Sequence, residues 1–314
     1  MFVEGTRICK LLQSESDFLI YTHIKPDGDA IGSAYGLAVA LQSIGKKVKV
    51  RISEPVPSSF STWVNQFTSD DVETGIGIAL DISAASRLGT YKNEDISICI
   101  DHHRGNKGLI QHTYLEDDSV SCSAIVFRLL RQMDIDIPQL AFDLLFAGHV
   151  ADSDCFQSAD INSKAFTDAA SMIENGANAA DIIKQVYSNK SQLVLECERE
   201  MLSSIEYFFD GKVAICLLPQ AKLEHIGKSN TRTISEIPRK VDGVEMGISV
   251  FQISNEEYAL SFRSNGRWDA SLIATRFGGG GHFSSSGATL IAPSYFEAVE
   301  KIVDEIKKIY LLNK

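Results

Sequence analysis

Apolar residues rich in β-branched and aromatic types gather in runs at 18–23, 48–52, 76–81 and 96–101, with helical or loop segments between them. Runs of that length and content predict strands. Their alternation with helices predicts a mostly parallel sheet with crossover helices, an α/β fold. The run at 18–21 passes through a short turn into a helical pattern carried by Tyr35, Leu37, Val39 and Leu41. Helical periodicity returns over 124–130, with Ser121 or Ser123 as N-cap, and over 165–173, stopped by Asn175-Gly176. From 191 to 209, Leu193, Leu195, Met201, Leu202 and Ile205 among charged residues predict one long connecting helix closed by Asp210-Gly211. Beyond it, strands are predicted at 213–218, 246–253, 258–263 and 288–291, a short helix at 271–277, and an amphipathic helix over 296–310. The simplest organisation is two domains, 1–186 and 211–314, joined by a helical linker at 187–210, which implies a cleft for a ligand.

Composition narrows the class. A chain of 314 residues with 44% hydrophobic content has ample material for real cores. No uncharged apolar run is long enough to span a bilayer, and the first residues lack the pattern of a signal peptide, so a cytoplasmic location is expected. The six cysteines form no C-x-x-C pair and are expected to be reduced and mostly buried. A formal net charge of −11 disfavours long polyphosphate backbones and leaves room for small phosphorylated ligands.

Candidate chemistry sits at the ends of the apolar runs. The turn Thr22-His23-Ile24-Lys25-Pro26-Asp27-Gly28-Asp29 holds one imidazole and two carboxylates within seven residues. In an open α/β sheet such a turn lies at the carboxyl edge, where ligands bind. Asp81 ends the run at 76–80, Asp101-His102-His103 ends that at 96–100, and Asp152 with Asp154 follows the apolar stretch 146–151. A lone acid at such an end is ordinarily a cap or turn former, and an Asp-Gly turn with Asp29 as N-cap is the plain reading of the first site. Four such sites in one parallel sheet converge, and carboxylates brought together repel unless a cation lies between them. His23, Asp27, Asp29, Asp81, His102 and Asp152 make six donors, too many for one open metal site and enough for two that share a carboxylate. Mixed imidazole and carboxylate donors suit Mn²⁺, Fe²⁺, Co²⁺ or Zn²⁺ better than Ca²⁺. Two ions about 3.5–4 Å apart are a recurrent device for phosphoester hydrolysis, activating a water and neutralising the entering and leaving oxygens.

A second signal is Phe277-Gly278-Gly279-Gly280-Gly281-His282-Phe283-Ser284-Ser285-Ser286-Gly287. Glycines between a helix and a strand let backbone N–H groups approach an anion, and His282 adds a donor; a flexible linker is the rival account. Arg263, Ser264 and Arg267 just upstream are further phosphate donors. His112 and His225 read as surface residues, His149 as packing behind Asp152, and Trp63 and Trp268 as core or interface.

These stretches resemble the DHH/DHHA1 phosphoesterases, and among them the nanoRNase type, bifunctional oligoribonucleases and pAp phosphatases. The stretch 23–33 resembles the first motif of that family, Asp81 through Arg87-Leu88-Gly89 the second, Asp101-His102-His103 the name-giving third, and 148–156 the fourth; the glycine run with His282 resembles the DHHA1 signature. The resemblance covers nearly the whole chain. It implies a DHH catalytic domain over 1–186 and a DHHA1 substrate-binding domain over 211–314. It also implies two divalent ions, most simply Mn²⁺: one held by His23 and Asp27, the other by Asp29, His102 and Asp152, with Asp81 bridging. By the same resemblance Asp101 supports the ligands, His103 faces the scissile phosphate, and Arg263, Ser264, Gly280, Gly281 and His282 bind substrate phosphates. The chain departs from the family pattern at Asp152-Ser153-Asp154, where Asp-Thr-Gly is usual, at His149, usually apolar, and at Ile82, usually small and polar.

The implied activity is hydrolysis of short oligoribonucleotides to mononucleotides, or of pAp to AMP, with neither long nucleic acid nor membrane as partner and a homodimer as a plausible assembly. The alternatives are a phosphodiesterase acting on pApA or cyclic di-AMP, a pyrophosphate or polyphosphate hydrolase, and a nucleotide- or RNA-binding module that has lost catalysis.

Overall fold

A computed structural model of the chain describes residues 1–158, 161–226, 231–281 and 283–310. It divides into two compact units, Met1–Asn189 and Lys190–Lys314, each with its own core.

In chain order the first unit contains α1 (Gly5–Ser14), β1 (Asp17–Tyr21), α2 (Gly28–Ser43), β2 (Lys47–Arg51), α3 (Ser61–Val64), β3 (Ile76–Leu80), β4 (Ile96–Asp101), β5 (His112–Leu115), α4 (Cys122–Gln132), α5 (Gln139–Asp152), α6 (Ser163–Glu174) and α7 (Ala179–Ile183). The five strands form a parallel sheet in the order β2-β1-β3-β4-β5. Period-two alternation sorts its central residues. Phe18, Ile20, Ile78, Leu80, Ile98 and Ile100 face the large core against α2, α4 and α5, while Leu19, Tyr21, Ala79 and Cys99 face a smaller cluster with Val72, Ile82 and Leu88. Burial on both faces is why these strands read as continuous apolar runs. The order of strands reverses between β1 and β3, so the crevice at their carboxyl ends is the switch point of the sheet.

The stretch 146–151 does not end a strand: it is the last part of helix α5. Nearly every side of α5 is covered, by α2, α4 and α6 among others, so it shows no polar stripe to reveal a helical period. His112, expected at the surface, opens edge strand β5 and is half-buried. Glycines set how closely α2 and α5 approach. A Cβ on Gly32 would lie 2.7 Å from the Gly148 Cα, and one on Gly28 would lie 2.4 Å from the Ala151 Cβ.

The second unit contains α8 (Gln192–Ser203), β6 (Glu206–Phe208), β7 (Val213–Leu218), α9 (Gln220–Ile226), α10 (Thr231–Ile234), β8 (Met246–Gln252), β9 (Glu257–Ser264), α11 (Ala270–Arg276), β10 (Gly280–Gly281), β11 (Ser285–Ile291) and α12 (Tyr295–Tyr310). The sheet order is β10-β11-β9-β8-β7-β6, with β7 and β8 parallel and the other pairs antiparallel. Residues of α11 and α12 pack in a core on one face, and residues of α8 and α9 in a core on the other. The helix expected over 191–209 is therefore shorter. It stops at Ser203, whose successors form an edge strand on β7, and Val194, Cys197 and Met201 bury it in this unit.

Candidate metal centre

The six donors expected from the sequence come together at the carboxyl edge of the parallel sheet. After β1 the chain keeps Thr22 and His23 buried, then turns through Lys25 at φ +54°. Asp27, and not Asp29, is the N-cap of α2: its Oδ1 accepts from the Ala30 N–H at 3.2 Å. Asp29, one turn in, is buried against the start of α4. Its two oxygens accept the Cys122 N–H at 2.6 Å and the Ser123 N–H at 2.9 Å. Asp81 follows β3 with φ +59°, a left-handed conformation that Asp tolerates better than most residues. This conformation occurs at a residue that two of the donor groups share.

Asp81 stands between two imidazoles. The His23 Nε2 lies 3.4 Å from Asp81 Oδ2 and 3.9 Å from Asp27 Oδ1. The His102 Nε2 lies 3.2 Å from Asp81 Oδ1, 3.5 Å from Asp152 Oδ2 and 3.9 Å from Asp29 Oδ2. Three groups of donors converge to within 4.8 Å: His23, Asp27 and Asp81; Asp29, His102 and Asp152; and Asp81, His102 and His103.

The far side of each imidazole fixes how it presents itself. The His23 Nδ1 is 2.8 Å from the Ile24 carbonyl and the His102 Nδ1 is 3.1 Å from the Ser119 carbonyl. Each Nδ1 therefore carries a proton and donates it, which leaves Nε2 aimed at the carboxylates, where it can hold either a second proton or a metal. His103 is oriented differently: its Nδ1 pairs with Asp101 Oδ1 at 2.7 Å. Asp101 is fully buried and accepts the His102 N–H as well, while its Oδ2 takes the Asn106 amide at 2.7 Å. Asn106 thus holds Asp101, and Asp101 holds His103. The sequence reading did not single out Asn106, whose only signal was its place three residues after His103.

Charge in this cluster favours a cation. Burial works against a protonated His23, yet Asp27 and Asp81 outweigh it and push the imidazole up to about 10. Burial likewise opposes a charged His102, and Asp81, Asp152 and Asp29 hold it well above its ordinary value. Burial disfavours the Asp81 carboxylate, but His102 and His23 keep it well below the usual range. Asp29 is raised by burial and by the fields of Asp81 and Asp152. Protonating Asp29 would spoil an acceptor for the two backbone N–H groups at the start of α4, whereas a cation relieves the repulsion and keeps both bonds. The Asp81 Oδ1 is buried and makes no hydrogen bond of good geometry among the described residues. Its surroundings, imidazole nitrogens and carboxylate oxygens, fit a divalent ion of the transition series.

His149 is fully buried. Its Nδ1 lies 2.8 Å from the Ser121 Oγ, the N-cap of α4, and its Nε2 2.9 Å from the Ala165 carbonyl. Burial lowers it to about 4, so it is neutral, and its ring joins α4, α5 and α6 behind Asp152. Asp154 begins three successive left-handed residues with Cys155 and Phe156.

In the second unit the expected phosphate donors are largely committed elsewhere. The Arg263 guanidinium pairs with Glu236, and also donates to the Ser235 Oγ at 2.9 Å and the Phe262 carbonyl at 3.0 Å. Ser264 is buried, and its Oγ accepts the Gly266 N–H at 3.0 Å. Gly280 and Gly281 are exposed and pair with Gly287 and Ser286. A Cβ on Gly279 would fall 2.1 Å from the Gly287 carbonyl, so part of the run exists to let two strands meet. His282 lies outside the described residues.

Residues 17–149 match the DHH family, N-terminal domain, and residues 220–310 match the DHHA1 domain. The bifunctional oligoribonuclease and PAP phosphatase NrnA of Thermus thermophilus is 27% identical over 94% of this chain and 90% of its own. The probable bifunctional oligoribonuclease and PAP phosphatase NrnA of Streptococcus mutans is 26% identical over 95% of this chain and 96% of its own. An exopolyphosphatase-related protein from Bacteroides fragilis, at 24% identity, has the same fold, with a TM-score of 0.87 over 97% of this chain and 96% of that one. No helix among the described residues is long and apolar enough to cross a membrane. The chain therefore carries a DHH family N-terminal domain followed by a DHHA1 domain.

Proposed function

We propose that this protein is a phosphoesterase that uses two divalent ions, Mn²⁺ in the simplest case, to hydrolyse short oligoribonucleotides to mononucleotides and pAp to AMP. The observation that carries the reading is the sharing of Asp81 between the His23 and Asp27 side and the His102 side, where Asp29 and Asp152 complete the donors. The names of the relatives from Thermus thermophilus and Streptococcus mutans support the choice of substrate. When bound, such ions supply Lewis acidity and an activated water.

The residues of the chain do the rest. The Ile24 and Ser119 carbonyls hold His23 and His102 with Nε2 facing inward, so no rotation is needed for them to act as ligands. Asp101 fixes the proton on the His103 Nδ1 side and stabilises the imidazolium; burial opposes that charge, but Asp101 and Asp81 raise His103 above its ordinary value. We assign His103 to a non-bridging oxygen of the scissile phosphate, where a positioned donor stabilises charge as it develops. Because His23, Asp29, Asp81 and Asp101 are buried, these interactions act with little screening by water. In the second unit we assign the exposed Gly280 and Gly281 to substrate phosphates, with Arg263 and Ser264 shaping the segment beside them.

The test is hydrolysis of pAp, di- and trinucleotides, a long RNA and pyrophosphate, in Mn²⁺ and in EDTA. Turnover of pAp and the shortest RNAs, lost in EDTA and in Asp81→Asn, is the expected result. No turnover of any of them by protein that has bound metal would overturn the proposal.

A further inference from the structure

Three loops at the carboxyl edge of the parallel sheet each carry a cation that has no partner among the described residues. Lys25 lies between β1 and α2, Arg87 in the segment after β3, and Arg104 directly after His103 in the loop from β4 to β5. Their parent strands are neighbours in the order β1-β3-β4. The loops are also tied to one another: the Ile24 N–H donates to the Arg87 carbonyl at 2.7 Å, and the Asn106 amide donates to the Ile82 carbonyl at 3.2 Å. Lys25 and Arg104 are exposed and Arg87 is half-buried. None of these three side chains makes an ion pair or hydrogen bond with a described residue. By contrast, Lys49, Arg51, Arg128 and Lys164 of the same unit all pair with carboxylates.

The charge around them gives this arrangement a use. The net charge is −11, and Asp27, Asp29, Asp81 and Asp152 crowd the centre, so an anionic substrate approaches a repulsive field. Two divalent ions would balance those four carboxylates and serve the phosphate being cleaved. A second phosphate on the same substrate has no counter-charge there unless the rim supplies one. Unpaired cations on loops held by hydrogen bonds suit that task, because little conformational freedom of the backbone is lost on binding.

We propose that Lys25, Arg87 and Arg104 form a binding site for a second, non-scissile phosphate. This selects nucleotides that carry a phosphate beyond the one hydrolysed, such as a nucleoside bisphosphate or a 5′-phosphorylated dinucleotide. The proposal rests on the phosphoesterase reading above and adds the substrate feature that the first unit recognises.

The experiment compares pApA with ApA, which differ only in the terminal phosphate. Hydrolysis is measured in Mn²⁺, and binding of non-hydrolysable phosphonate-linked versions by calorimetry, for the wild type, Lys25→Ala/Arg104→Ala and Lys25→Arg/Arg104→Lys. The wild type is expected to prefer pApA by about tenfold or more, the scale of one charge-assisted hydrogen bond. The alanine pair should lose most of that ratio and the charge-keeping pair should retain it. Raising salt should lower the wild-type ratio, a readout that needs no variant. A pApA to ApA binding ratio that is the same in all three proteins and insensitive to salt overturns the inference. A ratio that depends on the rim without hydrolysis of either compound supports the inference while overturning the phosphoesterase reading.

Discussion

Replacing Asp81 by Asn tests the centre most directly, because both imidazoles lean on that carboxylate. In EDTA at pH 7 the wild type keeps a proton on His23, whose value is pushed up to about 10 from an ordinary 6.5. From pH 7 to about 10 is about three units, which corresponds to about 4 kcal/mol of net stabilisation of the protonated imidazole after its burial penalty. With Asp27 and Asp81 sharing it, Asp81→Asn removes about 2 kcal/mol of metal-free stability at pH 7. Because the folded value is raised, this stabilisation is complete below about 6.5 and disappears as pH climbs through about 10. Above that, a neutral side chain at position 81 relieves repulsion with Asp29, and the variant should match or exceed the wild type. Saturating Mn²⁺ at about 100 times its dissociation constant adds about 2.7 kcal/mol per site to the wild type. The variant, which lacks the shared ligand, should gain little of it. Urea unfolding in EDTA at pH 7, 8.5 and 10, and again with Mn²⁺ at pH 7.5, gives all these quantities. A gap between the proteins that stays constant from pH 7 to 10, or an equal gain from Mn²⁺, would refute the reasoning.

Metal binding near neutral pH should expel protons from His23 and His102, so apparent affinity should rise about tenfold per pH unit for each proton released. Calorimetry in buffers of different ionisation heat checks this, and identical heats in Tris and PIPES would contradict it. Gly148→Ala should destabilise the protein despite the better helix propensity of alanine, because the new Cβ would sit 2.1 Å from the Ser123 Oγ. Overpacking of this kind costs about 1–3 kcal/mol. It should also weaken metal binding, since Ser123 holds Asp29; an unchanged melting temperature would count against that.

The strands and their carboxyl-end residues were legible because they depend on local pattern. A six-residue apolar run ending in an acid predicts a buried strand and a polar edge, and β3 and β4 follow that rule, while β1 ends in Thr22-His23 and reaches its first acid, Asp27, in the turn beyond. The same rule misplaced Asp152, since a helix buried on nearly all sides carries the same apolar run as a strand. Other features depend on long-range partners and had no local signal. Asp29 meets α4 across more than ninety residues, His149 meets Ser121 and Ala165, and Arg263 meets Glu236. A sequence window displays the types of these side chains and not what they will touch. Arg263 shows the consequence: a residue suited to phosphate by chemistry is engaged by a carboxylate of its own unit.

The contact between the start of α2 and the end of α5 bears on which ions the centre accepts. Gly28 stands between Asp27 and Asp29, and Ala151 immediately precedes Asp152, so the spacing of these acids is set where the Gly28 main chain meets the Ala151 Cβ, one turn from the main-chain contact of Gly32 with Gly148. Side-chain rotation cannot widen such a joint, and neither helix can retreat without opening the core behind it. A cage held this way should select by ionic radius: ions with bonds of about 2.0–2.2 Å are expected to bind, and Ca²⁺, which takes 2.3–2.6 Å and more ligands, is expected to bind less well. Competition between Ca²⁺ and Mn²⁺ measures that selection, and equal affinity would show that the joint yields.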